Sequence, residues 1–156
     1  MPPVTRRSLL AGLAALTADP ALAQLPLAFS SVSVDVSHLR AIGVGPLADL
    51  VQATMTDELR RVFANRIGGS GPRLVVRVTT LHISAFANQG RGLRGSVSDS
   101  IEGEALLIGA GNRVIGRYPQ IASIPAHGTW YDPLDNQRRT ERVSRVYAQW
   151  LGRTIS

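Results

Sequence analysis

From Ser31 to Val36 the chain alternates: Val32, Val34 and Val36 fall on one side and Ser33 and Asp35 on the other, the pattern of a strand with one buried face. The period then changes. Leu47, Leu50, Val51, Met55, Leu59, Val62 and Phe63 recur at helical spacing, which predicts an amphipathic helix. Gly45-Pro46 suits its entry, Asp49 lies near the positive end of its dipole, Asp57 and Arg61 are spaced to pair on its outer side, and Gly68-Gly69 ends the run. Period two returns over Arg73 to Ser84, with Leu74, Val76 and Val78 opposed to Arg77 and Thr79. A glycine-rich connection over 85–98 leads to a third strand at Ile101 to Ile108. A tight turn at Gly109 to Asn112 follows, then a fourth strand from Val114 to Ile121, interrupted by Pro119, whose missing N–H suits an edge. The last element is a helix starting near Asp135 or Asn136 as cap, with Val143, Val146, Tyr147, Trp150 and Leu151 on its apolar face.

The order β-α-β-β-β-α predicts an α+β fold: a two-layer sandwich of a four-stranded mixed sheet with two helices on one face. The first two strands pair in parallel through a right-handed crossover and the last three form an antiparallel meander. The other face of the sheet is wetter, with Asp35, Arg77, Glu102, Glu104, Arg113 and Arg117 able to pair across strands.

Ahead of this pattern lies a different kind of segment. Thr5-Arg6-Arg7-Ser8-Leu9-Leu10 opens an apolar run to Ala18 that is too short to span a bilayer, and Ala21 and Ala23 supply the small residues of a peptidase site before Gln24. These features predict an export signal over 1–23, a linker over 24–30, one domain over 31–152 and a tail over 153–156. Arg6, Arg7, Leu9 and Leu10 resemble the motif of bacterial twin-arginine signal peptides, and that resemblance implies export to the periplasm with removal of the leader after Ala23. A general secretory signal and a retained N-terminal anchor are the alternatives. No cysteine follows Ala23, so lipid attachment there is excluded.

Without residues 1–23, which hold Arg6, Arg7 and Asp19, the remaining 133 residues carry 15 arginines against 10 carboxylates, a net charge of +5. A chain of this size buries roughly two-thirds of its unfolded surface. With no cysteine anywhere, disulfide staples and zinc-thiolate or thiol chemistry are excluded. All the basic residues are arginine, which raises the isoelectric point far above what a mild net charge implies.

The element order resembles the small α/β sandwich domains of bacterial envelope proteins, including the lipopolysaccharide-assembly lipoprotein, over about residues 30–152 and as a pattern of elements only. That resemblance implies an envelope component without a transmembrane segment in its mature form.

Candidate chemistry is sparse. Gly90-Arg91-Gly92-Leu93-Arg94-Gly95 matches the dinucleotide-binding glycine pattern, but Ser96 to Ser100 leads into a strand instead of a helix and the ribose-binding carboxylate is missing. The segment reads instead as a hairpin connection in which Arg91 and Arg94 are available to an anionic glycan, a lipid head group or a partner protein. Trp130 and Tyr131 stand in the loop before the last helix, either covering the end of the core or offering a stacking surface. Arg138, Arg142 and Arg145 form one stripe of that helix, a solvated face or an anionic contact. Glu102 and Glu104 share a strand face, where a charge ladder competes with an acid/base pair. His38, His82 and His127 have no ligand spacing, and no serine sits in a nucleophile elbow. The reading is a non-catalytic envelope binding module with no metal and no cofactor, and its alternative is a periplasmic hydrolase. Nucleic acid is a poor partner for an exported domain whose arginines are not interleaved with aromatics.

Overall fold

Alternation of valines at 32, 34 and 36 produces the first strand, β1 (Ser31–Asp35), in a computed structural model that describes residues 27–84, 97–127 and 132–155. Asp35 ends the strand by accepting the Ser37 backbone N–H at 3.0 Å. That turn starts a short helix, α1 (Ser37–Ala41), which the sequence pattern did not announce because five residues are too few to display a period. Hydrogen bonds from Ser37, and then the Arg77 guanidinium, hold the Asp35 carboxyl below its ordinary value.

Helix α2 (Pro46–Val62) begins after Gly45, whose φ of 68° is left-handed, with Pro46 in its first turn where no N–H is needed. Its inner face is Val51, Met55 and Leu59, all fully buried together with Phe63 just beyond its end. On its flank the structure corrects the expected pair of Asp57 and Arg61. Arg61 instead lies 2.7 Å from Glu58, a carboxylate buried between the helices whose other oxygen accepts the Gln149 side-chain N–H at 3.0 Å. A buried carboxylate gains more from a guanidinium than an exposed one does.

The sheet has the order β1-β2-β3-β4, with β2 (Arg73–His82), β3 (Ser98–Ile108) and β4 (Val114–Pro125) completing it. β1 and β2 are parallel, from Ser31↔Arg73 to Asp35↔Arg77, and the two remaining pairings are antiparallel. β4 continues through Pro119 to Pro125 instead of breaking there, since an edge strand tolerates a missing donor. Helix α3 (Asp135–Thr154) packs beside α2 over the same sheet face, and its cap position is Leu134, one residue ahead of the expected Asp135 or Asn136. The two-layer α+β sandwich read from the sequence is the fold observed.

Residues flanking the regular elements complete the core. Phe29 and Ile155 are buried, and the Phe29 and Phe63 rings meet edge to face at 5.1 Å. Arg66 lies 5.1 Å from both ring centres and donates to the carbonyls of Leu27 at 2.8 Å and Ile155 at 2.7 Å, tying the first and last described residues to one point.

Tyr147 of α3 is fully buried and its hydroxyl has no hydrogen-bond partner among the described residues. It fits because position 103 is glycine: a Cβ there would lie 3.1 Å from the hydroxyl and 2.3 Å from the Arg77 carbonyl. Burial, and then the Glu104 charge, raises the phenol above its ordinary value of 10.0. A raised phenol stabilises the fold below its unfolded value and loses that contribution as pH rises past it. Tyr147→Phe is therefore expected to raise stability by about 1 kcal/mol, since an unpaired buried hydroxyl is removed, and to soften the loss of stability above pH 10. Urea titrations of both proteins at pH 8 and pH 11 check this; a variant less stable at both pH values contradicts it.

Candidate functional site

The topology decides which loops can act together. β2 ends, β3 begins, β4 ends and α3 begins at one end of the sandwich, so segments 85–96 and 128–131 are rooted side by side. The Ala126 N–H bonds the Val97 carbonyl at 2.9 Å, joining one root of each segment directly. Leu27 and Ile155 lie at the opposite end.

One buried ion pair holds these roots. Arg139, in the first turns of α3, is 3% exposed and Asp99, at the start of β3, is fully buried. The guanidinium engages both carboxylate oxygens, Nε donating to Oδ2 at 2.9 Å and Nη2 to Oδ1. Nη2 also donates to the Ser84 carbonyl at 2.8 Å, and Nη1 lies 3.4 Å from Asp135 Oδ2. The Ser84 N–H closes the circuit on Asp99 Oδ1 at 3.0 Å. A planar fork against a carboxylate fixes orientation as well as distance. The Asp99 hydrogen bonds outweigh burial and raise the Arg139 pKa above its ordinary value. The strands leaving and re-entering the sheet around 85–96 are thus locked to the helix that follows 128–131.

Sequence reasoning missed this pair, although a signal was there. Extending the inward positions of β3 one step before Ile101 reaches Asp99, and stepping back one turn from Val143 reaches Arg139. A charge at each of two inward positions implies that they meet. Small polar residues beside them are satisfied within the helix, Thr140 bonding the Asn136 carbonyl at 2.7 Å and Ser144 the Thr140 carbonyl at 2.7 Å.

The structure divides the arginine stripe of α3. Arg138 pairs with Asp132 at 2.5 Å and Arg145 with Glu141 at 3.0 Å, while Arg142 has no ion pair among the described residues. Arg91, Arg94, Trp130 and Tyr131 lie outside the described residues, as do the leader positions Arg6, Arg7, Leu9, Leu10, Ala21 and Ala23.

The two glutamates of β3 separate in role. Glu104 sits between Arg77 at 3.5 Å and Arg117 at 3.0 Å, and Arg77 reaches Asp35 at 3.3 Å. This is the charge ladder expected of the wetter face. Glu102 faces Thr80 on β2 and Ile121 on β4, and Arg113 precedes β4, outside the ladder. His38, His82 and His127 join no group that could hold a metal among the described residues.

A groove of about 380 Å³ opens between β1 and α2, lined by Val32, Val34, Asp49, Gln52, Thr56 and Arg60 among others. Its groups are partly engaged: Gln52 donates to the Val34 carbonyl at 2.9 Å, and Asp49 holds Arg40 at 2.7 Å. That ion pair is exposed whereas the Arg139–Asp99 pair is buried, so the end held by Arg139 is the better built of the two regions.

No family model and no curated protein matches this chain. Among solved structures it is similar to an uncharacterized protein at 18% identity and a TM-score of 0.55, over 85% of this chain and 96% of that one. A minor lipoprotein from Acinetobacter baumannii aligns at 11% identity and a TM-score of 0.48, over 81% of this chain and 92% of the other. The first likeness shows the fold and nothing further. No described helix is long and apolar enough to cross a membrane.

Proposed function

We propose that the chain is an exported binding module of the bacterial cell envelope. In this reading a twin-arginine leader over 1–23 delivers it to the periplasm and is cut after Ala23. The mature domain holds an anionic envelope component, carried by a protein or a glycolipid, without catalysing a reaction on it. The contacts are assigned to Arg91 and Arg94 from one loop and Trp130 and Tyr131 from the other, with Arg138 beside their roots and Arg142 and Arg145 further along the helix. The observation that supports this most is the Arg139–Asp99 clamp, which fixes the roots of both segments to a single frame. Rigid support beneath a variable loop is the common plan of binding domains.

Immobilised residues 24–156, which contain every described element, are expected to retain a specific component from detergent-solubilised envelope. Replacing Arg91 and Arg94 together by glutamine, or Trp130 and Tyr131 together by serine, is expected to reduce retention about tenfold or more at unchanged melting temperature. Equal retention by both double variants contradicts the reading.

A further inference from the structure

β1 is an edge of the sheet, so its outer side pairs with no strand among the described residues, and the groove between it and α2 opens along that side. Two contacts fix the direction of the helix. Gln52, early in α2, donates to the Val34 carbonyl near the end of β1, while Phe63, just past the helix, meets Phe29 ahead of the strand. Helix and strand are therefore antiparallel. One end of the groove is braced, since Arg40 donates both to Asp49 and, at 2.7 Å, to Gln52, which holds the side chain that reaches β1. The helix wall carries Asp49, Ala53 and Asp57, one every four residues, and then Arg60. Ala53, the small residue in the middle of that wall, is exposed. Arg61 is taken by Glu58, and the side chains of Asp57 and Arg60 form no ion pair among the described residues. Val32, Ser33 and Val34 line the strand side.

We infer that this groove takes an extended segment of a partner protein as a fifth strand on β1. At alternate positions the segment carries a cationic residue, a small apolar residue, a second cationic residue and an acidic residue. The spacing decides this. Four helical residues rise about 6 Å and two strand residues about 6.6 Å, so Asp49, Ala53 and Asp57 stand opposite alternate residues of an extended chain beside them. Side chains at alternate strand positions share one face. The two carboxylates select cations, Ala53 leaves room for an apolar side chain between them, and Arg60, almost one turn further along, selects a carboxylate. Antiparallel pairing is the more stable per residue, and it makes the segment run with α2, which sets this order from its amino to its carboxyl end. A second copy of the chain is the competing occupant, and it fits poorly. β1 reads Ser-Val-Ser-Val-Asp, so two such edges would bring carboxylates together with no strand cation between them. The inference is independent of the loop-borne binding proposed above, since no groove residue belongs to that site.

The test is fluorescence anisotropy of a labelled peptide, Ser-Lys-Thr-Val-Thr-Lys-Thr-Glu-Ser, titrated with the full chain. Saturable binding, weakened by added salt, is the expected result. The peptide with glutamate at both lysines is expected to bind about tenfold more weakly or worse. The same loss is expected with proline at the two threonines beside the valine, which removes N–H groups that a ladder needs. Two protein variants localise the contact. Ala53→Phe is expected to fill the groove and abolish binding at unchanged melting temperature, because residue 53 is exposed on the helix. Asp57→Lys is expected to weaken binding about tenfold and to regain it with the peptide whose second lysine is glutamate. Arg91→Gln/Arg94→Gln is expected to bind as the parent does. No binding by the parent chain, equal binding of the glutamate or proline peptide, binding that survives Ala53→Phe, failure of the exchanged charges to regain affinity, loss of binding in the Arg91/Arg94 variant, or a dimer abolished by Ala53→Phe in place of peptide binding each overturns the inference.

Discussion

Arg139→Met is expected to destabilise the domain by about 3–5 kcal/mol, because it leaves the Asp99 carboxylate buried with the Ser84 N–H as its remaining donor among the described residues. The measurement is urea unfolding at pH 7. The double variant Arg139→Met/Asp99→Leu separates two explanations of that loss. If the cost comes from an orphaned charge, removing both partners is expected to restore most of the stability, since buried pairs are often replaced by apolar residues at little cost. The cost of losing the geometry appears elsewhere. The restored double variant is expected to exchange the Ser84 and Val97 amides faster than the parent, because no fork then ties β2 and β3 to α3. A double variant as unstable as the single one contradicts this account of the clamp.

Leu59→Ala is expected to cost about 2–4 kcal/mol. Leu59 is fully buried on the inner face of α2 and belongs to the same apolar cluster as Leu74, Val76 and Tyr147. Truncation opens a cavity that rigid neighbours cannot fill, since the sheet is fixed by its ladders and α3 by its own buried stripe. Thermal unfolding followed by circular dichroism reads this directly. An unchanged melting temperature contradicts the assignment of that helix face.

These two variants also mark what the sequence makes legible. Leu59 was readable because burial on a helix repeats every three to four residues and the apolar positions from Leu47 to Phe63 repeat together. The strands were readable for the equivalent reason at period two, and Pro119 at the edge follows from its missing donor. Arg139 and Asp99 were not read, because a charge ordinarily marks a solvated face and only the meeting of two distant inward positions reveals the exception. Trp150 failed differently. It lies three residues after Tyr147 and close to the apolar stripe, but its angular offset from that stripe carries it past the margin of the core. The Asp57–Arg61 pair was a correct spacing overruled by burial, since Glu58 had the greater need of a cation. Helix α1 was too short for any periodic signal. Of the candidate site, the sequence supplied the loop residues, and the structure supplied the clamp at the roots of the two segments that carry them.

All of these roles depend on where the protein works. The mass of the chain recovered from the periplasmic fraction of cells expressing full-length protein tests this most directly. The account predicts a polypeptide that starts at Gln24 and is absent from the cytosol. A chain that keeps Met1 and remains in the cytosolic fraction contradicts it.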